Sequence, residues 1–299
     1  MRTRVGRFSR WTTSMSISRS FHSAVWSILA VVMAGCSSPP PLATQPVTGS
    51  AHAPNRTIVI DLHSYFRGLK TARVNISGVD YTFLLDTAGG RTLLSPELAQ
   101  RIGCIPHGRD VGYRMTGESV VFKNCAYLNA SVSGLRLSMS PVGVFELNSL
   151  LPSELPRLDG VLALDAFRGQ VITLDWARNQ LSVHSSADGE RALATDGIAV
   201  RIATGENGSQ LSVLTPVRAG TRPLWFLLDS GNIRGTLVAR QLALEGSIEI
   251  NQDGTALLVV GSRTSQRLSV ISDDINYDGV LGTEYLQTNV VSIDLRCAP

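Results

Sequence analysis

The sequence predicts an all-β protein of two similar lobes, and three observations carry that prediction. The first is an internal duplication. Phe83-Leu84-Leu85-Asp86-Thr87-Ala88-Gly89 returns as Phe226-Leu227-Leu228-Asp229-Ser230-Gly231-Asn232. Each copy is followed by a Thr-Leu pair, Thr92-Leu93 and Thr236-Leu237, and then by a short helix-forming stretch, Pro96-Glu97-Leu98-Ala99 and Arg240-Gln241-Leu242-Ala243. The second is a later landmark, Asp159-Gly160-Val161-Leu162-Ala163, repeated as Asp278-Gly279-Val280-Leu281-Gly282. From each of its aspartates it is 16 residues to another, Asp175 and Asp294. The third is local pattern. Arg73-Val74-Asn75-Ile76, Tyr81-Thr82-Phe83-Leu84-Leu85 and Gln180-Leu181-Ser182-Val183 are short, β-branched or aromatic, and bounded by Gly, Asn or Asp, whereas helical periodicity is scarce after residue 35. One short helix per lobe is the expectation.

The halves differ in length. The two landmarks stand 73 residues apart in the first (86 to 159) and 49 in the second (229 to 278). An insertion in the first half is therefore expected, around Cys104 to Cys125 and in the loop before Asp159. These landmarks divide the chain into a first lobe over 56–185, a linker over 186–196 and a second lobe over 197–299. The linker is read from the polar, glycine-containing run Ser185-Ser186-Ala187-Asp188-Gly189-Glu190.

Bulk composition excludes several functions. With 299 residues, 43% hydrophobic and 17% charged, the chain is apolar enough to fold. Its formal charge of +3 comes from five arginines in the first 35 residues, which contain no acid; the remainder carries −2. A basic footprint for nucleic acid is thus absent from the body. Residues 1–35 read as a signal segment, with arginines first and then the apolar run Ala24 to Met33. Ala34-Gly35-Cys36 resembles the lipobox of bacterial lipoproteins, with Met33 where Leu is usual, and implies lipid on Cys36. Ser37 is not acidic, which by the same resemblance implies an outer-membrane position facing the periplasm. An uncleaved anchor with an incidental cysteine is the alternative, and Met1 or Met15 could each be the start. The Pro-rich residues 36–55 then form a tether.

Cys104 and Cys125 are close in sequence and are expected to form a disulfide in that oxidising compartment, with Cys297 left as an alternative partner for either. The histidines are scattered and Cys-x-x-Cys is lacking, so no metal site is expected. Gly89-Gly90 lacks the lysine and long helix of a phosphate loop. The aspartates 159, 165, 175, 278 and 294 tempt a metal reading. Asp159 and Asp278 are better read as loop structure, and Asp175 and Asp294 as strand-end hydrogen-bonding groups.

Asp86 and Asp229 are different. Each ends an apolar strand, where an isolated carboxylate is costly unless paired, hydrogen-bonded or protonated. Apolar-apolar-Asp-Thr/Ser-Gly followed by apolar-apolar-Gly resembles the pepsin and retropepsin superfamily of aspartic peptidases over about residues 70–296. That resemblance implies retropepsin/pepsin-like lobes with the active-site cleft between them. Asp86 and Asp229 would be the catalytic pair, with Thr87 and Ser230 joined across the lobe junction and Ala88, Gly89 and Gly231 supporting the carboxyls. Val161-Leu162-Ala163 and Val280-Leu281-Gly282 would flank them, and Tyr113-Arg114-Met115-Thr116-Gly117-Glu118 would be a flap through Tyr113, Thr116 and Gly117, with an ordinary surface hairpin as the alternative. It also implies a polypeptide substrate and no cofactor. The first lobe departs from the pattern at Ala88 and Ala163, where the second keeps Gly231 and Gly282. Three readings follow: an extracytoplasmic endopeptidase, a silent peptide-binding lipoprotein with the same cleft, or a structural envelope lipoprotein.

Overall fold

The computed structural model describes residues 54–193, 198–205, 208–220, 222–261 and 265–296. Cys36, the signal segment, nearly all of the tether, and Cys297 lie outside the described residues.

The protein is mostly β, with two curled sheets that form the two lobes. Each lobe is built on the same motif. In the first, Lys70–Ile76 and Val79–Asp86 form a hairpin, and Gly160–Ala163 runs parallel beside Val79–Asp86 while pairing antiparallel with Leu93–Leu94. In the second, Ser212–Ala219 pairs with Arg222–Leu228, and Gly279–Leu281 runs between Arg222–Leu228 and Thr236–Ala239 in the same two senses.

Strand alternation explains why the aspartates face a cleft. Side chains on a strand point alternately to opposite faces. Phe83 and Leu85 enter the main core, whereas Leu84 joins a separate apolar cluster with Leu69, Leu147, Leu158 and Val161. Asp86 has the parity of Leu84. Phe226 and Leu228 repeat the first role, Leu227 the second with Leu237 and Val280, and Asp229 shares its parity.

The repeated Asp-Gly also finds its reason. Asp159 and Asp278 accept the strand amides of Thr82 and Trp225, each at 2.8 Å. A methyl group on Gly160 or Gly279 would lie 2.4 Å from the ring of Phe83 or Phe226. Asp175 and Asp294 accept the backbone amides of Arg178 and Arg296 at 3.0 Å, as strand-end groups.

Three features differ from the sequence expectation. The polar run read as a linker is the helix Ser186–Leu193. Ser185 accepts the Asp188 amide and donates to the Asp188 carboxylate, a reciprocal helix-start arrangement that a polar run with one glycine conceals. The expected helices Pro96–Arg101 and Arg240–Leu244 are present, but each lobe adds another short one after its Asp-Gly strand, Leu164–Phe167 and Thr283–Thr288. These are too short to show a period. Finally, the halves share a sheet: Val291–Asp294 pairs with Val171–Asp175, which pairs with Gln180–Val183 and so connects to Ile58–Asp61.

The insertion is the hairpin His107–Tyr113 and Ser119–Cys125. Leu128–Val132 pairs with the first hairpin strand as Thr255–Val260 does in the second lobe. Leu135–Met139 and Val142–Val144 together take the place of Gln266–Asp273. The extra hairpin has no counterpart among the described residues, and the Cys104–Cys125 disulfide closes its base. The bridge spans 21 residues, and its removal by Cys104→Ser and Cys125→Ser together is expected to lower stability by about 3 kcal/mol in the chain-entropy model. Urea denaturation checks this; an unchanged midpoint would show that the hairpin base is held by packing alone.

Candidate active site

Asp86 and Asp229, one from each lobe, both line a cleft of about 630 Å³ and stand close enough for each to act on the other's ionisation. Their loops are locked by four buried hydrogen bonds. The amide of Thr87 donates to Ser230 Oγ at 3.0 Å and the amide of Ser230 donates to Thr87 Oγ1 at 3.0 Å. Each hydroxyl then donates onward across the junction, Thr87 Oγ1 to the carbonyl of Leu228 at 2.7 Å and Ser230 Oγ to that of Leu85 at 2.9 Å. A hydroxyl is needed at both places because each must accept and donate at once.

Each carboxyl is also held from its own loop. The amide of Ala88 donates to Asp86 Oδ1 at 2.9 Å, and that of Gly231 to Asp229 Oδ1 at 2.8 Å. Alanine in place of glycine therefore leaves the first carboxyl with its donor. The Ala88 methyl packs on the cluster of Leu227, Leu237 and Val280. Gly231 has no such freedom, since a methyl there would stand 2.7 Å from Asp86 Oδ2. Ala163 has a related explanation. A methyl on Gly282 would lie 2.5 Å from the Gly235 carbonyl and 2.9 Å from Asn232 Nδ2. The first lobe has Gly89 in place of Asn232, and its loop to the Thr-Leu pair is one residue shorter.

Burial raises both carboxyl pKa values above the ordinary carboxylate range. For Asp229 burial is the largest cause, and the neighbouring negative charge of Asp86 adds to it, so its pKa stands well above that range. Two carboxyls so placed do not both ionise easily, which is the condition for a pair to share one proton.

The inserted hairpin covers this cleft. Its turn, Arg114–Glu118, is closed by the Arg114 amide donating to the Glu118 carbonyl at 2.9 Å, and Gly117 supplies the positive φ of 85°. The Asn276 amide donates to the Met115 carbonyl at 2.8 Å, and Met115 packs on the second-lobe cluster. Tyr113 and Thr116, two of the expected flap residues, both line the cleft; Tyr113 is 71% exposed, and Met115 makes the apolar contact across it.

Sequence reasoning missed the polar side chains Tyr277, Arg91 and Arg234 of the cleft, among others. Tyr277 lines the cleft, and its pKa is raised first by burial and then by the charge of Asp229. Arg91 and Arg234 also line it. Each stands five residues after its lobe's aspartate, a repeat the sequence displays. Large apolar side chains, among them Leu69, Leu84, Phe145 and Val161, complete the wall.

No family model and no curated protein matches the chain. Solved structures do match, including basic 7S globulin from soybean and conglutin gamma, a basic 7S globulin from lupine seeds. Each gives a TM-score of 0.50 at 10% identity, over 82% of this chain and 94% of the other. An identity that low speaks for the fold alone, and the fold of both is pepsin-like. With its duplicated lobes and a matched aspartate from each, the chain has a pepsin-like fold.

Proposed function

We propose that this protein is an extracytoplasmic aspartic endopeptidase, anchored through lipid on Cys36, that hydrolyses peptide bonds with a water activated between Asp86 and Asp229. The observation that carries the reading is a pair of aspartates, one from each lobe, in one covered cleft, each carboxyl held by an amide of its own loop. In such a pair the ionised member takes a proton from water while the protonated member polarises the peptide carbonyl; the roles reverse as the amine leaves. Thr87 and Ser230 lock the two loops together and the amides of Ala88 and Gly231 hold the carboxyls, so little reorganisation is needed during reaction. The Cys104–Cys125 bridge supports the oxidising compartment.

The test is incubation of the full chain, in detergent, with a diverse peptide library from acidic to alkaline pH. Cleavage is expected to follow a bell. At low pH both carboxyls are protonated and no base remains; at high pH both are ionised and no acid remains. Burial, with the added charge of Asp86, raises the second ionisation, which places the alkaline limb above the ordinary carboxylate range. Retention of peptides without cleavage across the whole range would replace the peptidase by a peptide-binding protein.

A further inference from the structure

Arg91 is the most deeply buried charged side chain of the cleft wall, 1% exposed, and only part of its guanidinium is used. Nη1 donates to Asp110 Oδ2 and to Asn124 Oδ1, both at 2.7 Å. Phe122 from the covering hairpin lies with its ring centroid 5.3 Å from the guanidinium carbon. Nε and Nη2 are buried and find no acceptor among the described residues. Two buried donors without acceptors cost stability. These two nitrogens are also the side of a guanidinium that presents two parallel N–H groups, the geometry that matches both oxygens of one carboxylate.

We propose that Arg91 is a carboxylate receptor, so that the polypeptide occupying the cleft carries an acidic group that docks on Nε and Nη2 when the tip of the hairpin lifts. This deepens the peptidase reading by naming a substrate class: chains that place a carboxylate close to large apolar residues. Asp110 and Asn124 lie in the half of the hairpin next to the Cys104–Cys125 bridge, so they keep the other edge of the fork fixed when only the tip moves. The hairpin that screens it is tied across the cleft at its tip by the Asn276–Met115 hydrogen bond and the packing of Met115, a contact small enough to open. A backbone carbonyl offers one oxygen and fills one donor; a carboxylate fills both and brings a charge into a site of low dielectric. The rest of the wall agrees in sign. Apart from Asp86 and Asp229, the charged side chains lining the cleft among the described residues are Arg91, Arg114 and Arg234. Arg114 is paired with Glu118 and Arg234 with Asp273, which leaves the unfilled fork of Arg91 as the specific element.

The test uses the full chain carrying Asp229→Asn, so that bound peptides stay intact, and fluorescent peptides read by anisotropy. Each peptide has an apolar centre and an amidated C-terminus, with Glu or Gln scanned through the flanking positions; a further arm has a free C-terminal carboxylate and no acidic side chain. At one position Glu is expected to bind about tenfold tighter than Gln, the scale of a charge-assisted pair of hydrogen bonds. Arg91→Met should bring the Glu peptide down to the affinity of its Gln twin. Arg91→Lys, which keeps the charge and loses the fork, should leave a preference of about twofold. Preference confined to the free C-terminus would also support the receptor and make the terminal carboxylate its ligand. Equal binding of Glu and Gln at every position, with no gain from the free terminus, overturns the proposal without any variant having to fold. Loss of the Glu and Gln peptides in equal proportion in Arg91→Lys overturns it as well. Failure of the native chain to cleave, with the Glu preference intact, would count against the peptidase and leave the receptor standing.

Discussion

Asp86→Asn and Asp229→Asn are each expected to lower kcat/KM by about 10³-fold or more, and the double variant is expected to lose little beyond either single one. The members of the pair act as one unit, because each needs the other in the opposite protonation state. Asn keeps the shape and can accept the amides of Ala88 or Gly231 through its oxygen, so the loss reports chemistry rather than collapse. A stability measurement separates the two. The folded pKa of Asp229 is raised, by burial first and then by the charge of Asp86. A raised acid favours the folded state below its unfolded pKa, and that contribution is lost as pH rises toward and through the folded value. Asp229→Asn removes the group that must be ionised at a cost, so the variant should be at least as stable as the native chain at neutral pH, with any advantage vanishing in acid. Peptide cleavage that persists in both Asn variants would remove the aspartic mechanism.

The second large effect is structural. Thr87→Val and Ser230→Ala are each expected to cost about 2–4 kcal/mol, because each substitution orphans a buried amide of the opposite loop and a buried carbonyl. The affected groups are the Ser230 amide and Leu228 carbonyl in the first case, and the Thr87 amide and Leu85 carbonyl in the second. Since both hydroxyls belong to one network, the double variant should lose less than the sum. Urea denaturation followed through the buried Trp176 reads the loss. A cost below about 0.5 kcal/mol for both would mean that water replaces the hydroxyls and that the loops are held from elsewhere. Thr87→Ser, which keeps the hydroxyl, should recover most of the stability.

Much of this was legible beforehand for a simple reason. A duplicated sequence exposes its constrained positions twice, once in each lobe. Phe83 and Phe226, Asp159 and Asp278, and Asp86 and Asp229 occupy equivalent places because each pair answers the same local demand. The surplus hairpin between Cys104 and Cys125 was readable as a difference in length. The helix Ser186–Leu193 was not, because its start depends on one reciprocal contact between Ser185 and Asp188 inside a run whose composition is that of a loop. The departures at Ala88 and Ala163 looked like defects until the geometry showed one methyl packed on the opposite lobe and the other beside a loop that lacks the Asn232 amide.

The sequence by itself determined the two-lobed β architecture, because the repeated motif and the short strand-forming runs are written along the chain; that the two aspartates and the hydroxyls beside them belong together was what the family resemblance implied. Only the tertiary structure decided what crosses the cleft. Met115 reaches the second lobe, Val291–Asp294 completes a sheet begun in the first half, and Arg91 is buried with one edge satisfied and the other empty. These contacts join residues distant in sequence, and their energies depend on which groups folding excludes from water. A list of residue types does not contain that information; the packed chain does.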